Sequence, residues 1–123
     1  MYIPQSIWPE FKKLYVHEVA KIKMGEPDDF SNFMTAVIDR SAFESVTSYI
    51  KFAKASDEAE FITGGNYDDS KGFFIEPTTI VTTNPMFKTM QEEIFGRVLT
   101  IFVYEDEMFE ETLALCDSTS PYA

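Results

Sequence analysis

The segment 98–104 limits the possible folds more than any other part of this sequence. Its seven residues, Val-Leu-Thr-Ile-Phe-Val-Tyr, are nearly all β-branched or aromatic, which is the composition of a β-strand. Because apolar residues occupy both alternating sets of positions, we expect the strand to be buried on both faces. Strands of this kind lie in sheets that helices cover on either side, so the segment favours an α/β architecture.

Apolar periodicity predicts two helices upstream of this strand. Large apolar residues recur at steps of three and four over positions 8–22, which predicts a helix that Ser6 caps and that runs to about Lys23. Ser41 and Glu44 have the spacing of a capping box and predict the start of a second helix that ends near Ala55. The second helix has a buried stripe made of Phe43, Val46, Ile50 and Ala53.

Shorter β segments lie between the second helix and the strong strand. The pattern predicts strands at 60–63, 73–75 and 78–82, and a turn with positive φ at Gly64-Gly65. Pro77 separates the second of these strands from the third. Because proline cannot donate a hydrogen bond to a strand ladder, its position indicates a sheet edge or a kink.

A third helix is expected after the strong strand, capped by Asp106 and packed through Phe109, Leu113 and Cys116. On that stripe Cys116 would be a buried residue with a raised thiol pKa, so we interpret it as structural rather than nucleophilic. As the single cysteine of the sequence, it excludes an internal disulfide and cannot build a cysteine-based metal site alone.

Charge and composition exclude several classes of function. The formal net charge of −11 repels nucleic acid and anionic lipid surfaces, so both are disfavoured as partners. No apolar run approaches the roughly 20 residues that span a bilayer. The acidic segment 105–111 lacks the spacing of a calcium loop, His17 has no catalytic partner nearby in sequence, and Gly64-Gly65 alone is no phosphate loop. We therefore predict no metal site.

Residues 91–96, Gln-Glu-Glu-Ile-Phe-Gly, are the most distinctive candidate site. Judged from the residues alone, the segment could be an ordinary loop with Phe95 packed in the core. However, Glu92 to Gly96 resembles the EEIFGP motif of the aldehyde dehydrogenase superfamily. Upstream, Gly64-Gly65 followed by Gly72 to Thr78 is similar to the GG…GYFxxPT stretch that precedes this motif in the superfamily, with the same order and spacing.

Other segments resemble one branch of the superfamily, the 1-pyrroline-5-carboxylate dehydrogenases. They are Tyr2-Ile3-Pro4-x-Ser6-x-Trp8-Pro9, the run Ile22 to Pro27, the run Phe30 to Asp39, and Asp117-Ser118-Thr119 followed by Tyr122. The resemblance covers essentially the whole chain. It departs from the branch at Ala123, where glycine is usual, and at Arg97, where the superfamily has proline.

The resemblance implies an α/β fold that is part of the aldehyde dehydrogenase catalytic domain, with a mostly parallel sheet flanked by helices. It also implies NAD-dependent oxidation of the aldehyde L-glutamate γ-semialdehyde to glutamate, in proline catabolism, by a homo-oligomer of the mitochondrial matrix. In the family a cysteine thiolate attacks the aldehyde and NAD accepts the hydride. By carry-over, Glu93 binds the nicotinamide ribose and Phe95 packs near the nicotinamide, while Arg97 could pair with Glu93 and compete with the ribose.

The resemblance also indicates what residues 1–123 lack. The family's nucleophilic cysteine would lie just before Met1, and the NAD-binding domain, the general base and the loop that grips the substrate carboxylate have no counterpart here. We therefore expect a fragment of the catalytic domain that is inactive alone and contains no catalytic residue. Two alternatives stay open, namely a truncated, non-catalytic interaction module and a dehydrogenase of another aldehyde.

Overall fold

A computed structural model describes residues 1–119, so Tyr122 and Ala123 lie outside the described residues. The helices and strands follow one another as β1 (Tyr2–Pro4), α1 (Trp8–Val19), α2 (Arg40–Lys54), β2 (Ala59–Thr63), β3 (Tyr67–Asp68), β4 (Phe74–Ile75), β5 (Thr78–Thr82), α3 (Lys88–Gln91), β6 (Val98–Tyr104) and α4 (Phe109–Thr119). A single 3-10 turn, Asp106–Met108, joins β6 to α4.

The main sheet has the strand order β1-β6-β5-β2. β6 pairs in parallel with both β1 and β5, whereas β2 pairs antiparallel with β5. The predicted α/β class with a mostly parallel sheet is therefore confirmed. Within β6, Ile101 is fully buried, as expected of the strand that has a neighbour on each side.

Helices cover both faces of this sheet. Ile80 of β5 packs in one cluster with Ala53 of α2. The hydroxyl of its neighbour Thr79 forms a 2.8 Å hydrogen bond with the hydroxyl of Tyr15 on α1. Because successive residues of a strand face opposite sides, α1 and α2 lie on opposite faces of the sheet. α4 contacts β1 through Thr119, whose hydroxyl accepts a hydrogen bond from Tyr2.

α2 begins two residues earlier than the capping box predicted. Asp39 is its N-cap, and the Asp39 carboxylate accepts a hydrogen bond from the backbone nitrogen of Ala42 at 2.8 Å. The prediction that Ser41 and Glu44 cap this helix is therefore wrong, because an acidic side chain already satisfies the first turn. The predicted end is confirmed by the C-cap at Ala55, and the predicted stripe of Phe43, Val46, Ile50 and Ala53 is buried.

The caps predicted for α1 and α4 are also wrong. α1 has Ile7 as its N-cap and ends at Val19, earlier than predicted. The backbone nitrogen of Ser6 donates to the Asp106 carboxylate at 3.0 Å, and the Ser6 hydroxyl donates to the other carboxylate oxygen. The Ser6 and Asp106 side chains therefore bind one another instead of capping a helix, and they join the start of α1 to the turn before α4.

The packing face predicted for α4 is reversed. Phe109, Leu113 and Cys116 are exposed, and the buried residues of this helix are Thr112 and Thr119. The face that carries these two threonines, rather than the one that carries the larger apolar side chains, lies towards the sheet. The prediction of a buried Cys116 is therefore wrong.

The connections between the strands largely follow the prediction. Gly64 and Gly65 have φ values of 64° and 92°, so the turn with positive φ is confirmed. At Pro77 the chain leaves the small β3-β4 sheet and enters the main sheet, where β5 is an internal strand rather than an edge. Among the described residues, no helix is long and apolar enough to cross a bilayer.

The cap of α2 can be tested directly. We expect Asp39→Ala to lower the free energy of unfolding by about 1 kcal/mol, because a backbone donor of the first turn loses its acceptor. Ser41→Ala is the matched control and should change it by less than about 0.5 kcal/mol. Chemical denaturation measures both; an equal loss in the two variants would contradict the assignment of Asp39.

Candidate functional site

A cleft of about 300 Å³ opens beside the distinctive loop. Its walls are the loop itself, α3, the residue that precedes β1 and the first residues of β6. The lining residues are Met1, Thr89, Met90, Glu92, Glu93, Ile94, Phe95, Gly96, Val98, Leu99 and Thr100.

Backbone and hydroxyl hydrogen bonds fix the floor of this cleft. The backbone nitrogen of Met1 donates to the Thr100 carbonyl at 2.8 Å, and the backbone nitrogen of Phe102 donates to the Met1 carbonyl at 2.9 Å. The buried Thr100 hydroxyl donates to the Thr89 hydroxyl at 2.7 Å, which ties β6 to α3. Residue 1 is therefore held in the cleft wall by the same parallel pairing that forms the sheet.

The loop 92–96 attaches to α2 at alternate positions. The Tyr49 hydroxyl donates to the Glu92 carboxylate at 2.7 Å. Ile94 packs against the core cluster that contains Val46, and a Cβ on Gly96 would lie 2.5 Å from a Val46 methyl group. The two residues between these attachments, Glu93 and Phe95, are exposed and line the cleft.

Phe95 adopts an unusual backbone conformation. Its φ is 51°, the left-handed region that non-glycine residues rarely occupy, and its side chain is 96% exposed. The possibility that Phe95 is tucked into the core is therefore wrong. Such a conformation costs on the order of 1–3 kcal/mol and persists where the surroundings impose it, which is common at ligand sites.

Arg97 does not pair with Glu93, in contrast to the prediction. Its guanidinium donates to the Ile75 carbonyl at 3.2 Å and to the Met24 sulfur at 3.3 Å. Among residues 1–119 no ion pair joins it to Glu93, so the predicted competition with a ligand at Glu93 is wrong. Partial burial lowers the pKa of Arg97 from its usual value, although a guanidinium remains protonated at any physiological pH.

The weaker candidates stay outside this cleft. Gly65 is part of a structural turn, since its nitrogen donates to the Thr78 hydroxyl and its carbonyl accepts from Lys54. His17 is exposed on α1, and Cys116 lies on the outer face of α4. In the part of the chain that the structure describes, no group of three or more His, Cys, Asp or Glu residues could hold a metal ion.

Tyr49 was not found by sequence reasoning. It lies 43 positions before Glu92, and no local pattern connects a tyrosine on the second helix with that loop. Only the docking of α2 against the loop brings the two side chains together.

The fold and this loop can be compared with known proteins. The model of the aldehyde dehydrogenase family matches residues 1–122. The chain belongs to the aldehyde dehydrogenase family. As a member of this family it has close relatives among enzymes named delta-1-pyrroline-5-carboxylate dehydrogenase, mitochondrial. It is 58% identical over 122 residues to the one from Dictyostelium discoideum and 46% identical over 124 residues to the one from Danio rerio.

Solved structures agree with this family assignment. The delta-pyrroline-5-carboxylate dehydrogenase from Mycobacterium tuberculosis, in a structure bound with NAD, superposes with a TM-score of 0.87 at 34% identity and matches 99% of this chain. The match covers 22% of that structure, and likewise 22% of the Dictyostelium and Danio enzymes, with 99% and 100% of this chain. This aldehyde dehydrogenase family chain therefore spans about a fifth of the length of its relatives.

The contact between the loop and α2 gives a test of the site geometry. Gly96→Ala should lower the free energy of unfolding by about 1–3 kcal/mol, because the new methyl group would overlap Val46 in a packed region. In a Val46→Ala background the same substitution should cost at least about 0.5 kcal/mol less, since the two sites are in contact. Denaturation of the parent, the two single variants and the double variant measures this coupling, and additive costs would contradict the close approach.

Proposed function

We propose that the chain is a segment of an NAD-dependent dehydrogenase that oxidises L-glutamate γ-semialdehyde to glutamate. The identities to pyrroline-5-carboxylate dehydrogenases, over nearly the whole chain, support this choice of aldehyde. The names of the relatives also support a mitochondrial enzyme, and we place it in the matrix, as a homo-oligomer. Residues 1–123 then form a middle part of the catalytic domain, with the NAD-binding domain elsewhere in the full-length protein.

The observation that carries the proposal is the arrangement of Glu93 and Phe95. Both are exposed and line the cleft. Glu92 and Ile94 also border the cleft, but the Tyr49 hydroxyl holds Glu92 and the core cluster holds Ile94. An exposed carboxylate can accept hydrogen bonds from both hydroxyls of a ribose, and charge-assisted bonds are the stronger kind. An exposed aromatic ring beside it gives a flat apolar surface on which a nicotinamide can pack. The residues present therefore fit this cofactor.

NAD, when bound, supplies the hydride acceptor of the reaction. The segment contributes positioning: Glu93 would hold the ribose, and Phe95 would limit the movement of the nicotinamide ring. The strained backbone at Phe95 fits a role that needs the ring outside the core rather than in it.

The position of residue 1 supports the proposed place of the nucleophile. Pairing with β6 fixes Met1 in the wall of the cleft that Glu93 and Phe95 line. A cysteine shortly upstream of residue 1 in the full-length enzyme would therefore be only a few residues from that cleft. Cys116, on the outer face of α4, has no such relation to the cleft.

Glu93 can be tested in the full-length enzyme. We expect Glu93→Ala to raise the KM for NAD at least about tenfold, because the variant removes hydrogen bonds to a charged group. The KM for the aldehyde should change much less. Glu107→Ala, which removes an exposed carboxylate from the turn after β6, is the matched control. Steady-state kinetics with each substrate varied measures the effect, and an unchanged KM for NAD would refute the role of Glu93.

The division of labour between this segment and the rest of the enzyme can also be tested. The purified 123-residue chain should not oxidise glutamate semialdehyde with NAD, because nucleophile and general base are both absent. The same segment placed in the Dictyostelium relative, in exchange for its matching 122 residues, should support NAD reduction. Turnover by the isolated chain above the blank, or a folded chimaera that prefers another aldehyde, would contradict the proposal.

A further inference from the structure

Two adjacent carboxylates occupy the start of the loop, and only one of them is held. Glu92 and Glu93 are both exposed and both line the cleft. The Tyr49 hydroxyl donates to the Glu92 carboxylate at 2.7 Å, and among the described residues no hydrogen bond of this kind holds the Glu93 carboxylate. Charge-assisted hydrogen bonds of this kind are short and directional, so Tyr49 fixes where the Glu92 side chain points. Without this bond, either carboxylate could turn towards the cleft, and their mutual repulsion would widen the range of loop conformations.

The position of Tyr49 is itself well determined. It lies on α2 between the buried residues Val46 and Ile50, so its backbone belongs to the part of the helix that packs on the core. The ammonium group of Lys88 lies 5.1 Å from the centre of the Tyr49 ring and 5.5 Å from that of Phe52. Lys88 also accepts, through its carbonyl, a hydrogen bond from the Glu92 backbone nitrogen.

Tyr49 and Lys88 thus hold different parts of Glu92. Lys88 fixes the Glu92 backbone, and Tyr49 fixes its carboxylate. With both the backbone and the carboxylate of Glu92 held, the direction in which the chain enters position 93 is set by α2 and α3 together. The next attachment, the packing of Ile94 against the core, limits the loop on the other side of Glu93.

We propose that Tyr49 is a positioning residue for the nicotinamide ribose, acting through Glu92. By binding the first carboxylate, its hydroxyl leaves the second one, Glu93, as the group presented to the cofactor. This inference rests on the proposed function, since it assumes that Glu93 binds NAD.

The test uses Tyr49→Phe in the full-length enzyme, because this variant removes the hydroxyl and keeps the ring under Lys88. We expect the affinity for NAD to fall about fivefold, the loss of one hydrogen bond, with a smaller change in kcat. Amide hydrogen exchange in residues 93–96 should become faster by a similar factor without NAD. Tyr67→Phe, which removes the hydroxyl of a half-buried tyrosine in the β3-β4 sheet, is the matched control and should change neither quantity.

Substitutions at Glu92 test whether Tyr49 acts through it. Glu92→Gln keeps an acceptor for the hydroxyl, so it should weaken NAD binding less than Glu92→Ala does. Tyr49→Phe should have no additional effect in the Glu92→Ala background. Additive effects of Tyr49→Phe and Glu92→Ala on NAD affinity would overturn the inference. It would also be overturned if Tyr49→Phe left both the amide exchange rates and the NAD affinity equal to those of the parent enzyme.

The outcomes separate this inference from the proposed function. If Glu93→Ala weakens NAD binding and Tyr49→Phe does not, the cofactor role of Glu93 stands and the positioning role fails. If Glu93→Ala leaves NAD binding intact, the proposed function fails. Faster exchange in Tyr49→Phe would then identify only a loop anchor, and the positioning of a ribose would be overturned as well.

Discussion

The packing of α2 against the sheet and the loop is the interaction on which the rest of this structure depends. Its buried stripe joins two clusters, since Val46 and Ile50 pack with Ile75 in one and Ala53 packs with Ile80 in the other. Full burial of one such aliphatic side chain stabilises the fold by about 1.5–3 kcal/mol. Because Ile94 packs against the cluster that contains Val46, and Gly96 approaches Val46 itself, the same burial that stabilises the core fixes the loop.

This coupling explains how the loop keeps an unfavourable backbone conformation. The left-handed φ of Phe95 costs on the order of 1–3 kcal/mol, and its exposed ring recovers little of this by burial. Ile94 is partly buried against the core, so its packing contributes part of the roughly 1.5–3 kcal/mol of full burial, and the Tyr49–Glu92 hydrogen bond adds about 1 kcal/mol. Together the attachments on either side of Glu93 are of the same order as the strain and offset it, and the exposed residues are the ones that a ligand can use.

Sequence reasoning succeeded where the determining interactions are local or belong to a recurring pattern. The stripe of α2 follows from a period of 3.6 residues, the strand β6 from its composition, and the turn at Gly64-Gly65 from the conformational freedom of glycine. It failed where the partner is distant. Ser6 and Asp106 each looked like a helix cap, but they bind one another across 100 positions. The packing face of α4 was predicted wrongly because its larger apolar residues lie on the exposed side of the helix, where apolar periodicity does not mark the contact with the sheet.

Arg97 illustrates how a distant contact can replace a local restraint. A proline after Phe-Gly would fix φ through its ring, without any partner. Arg97 has no such restraint, but its guanidinium donates to the carbonyl of Ile75 in β4 and to the sulfur of Met24, while its own carbonyl accepts from Thr78 at the start of β5. The chain after Gly96 is thereby tied to three other segments. The turn is held by these contacts with other segments rather than by the restricted φ of one residue. The same contacts direct the Arg97 guanidinium away from Glu93.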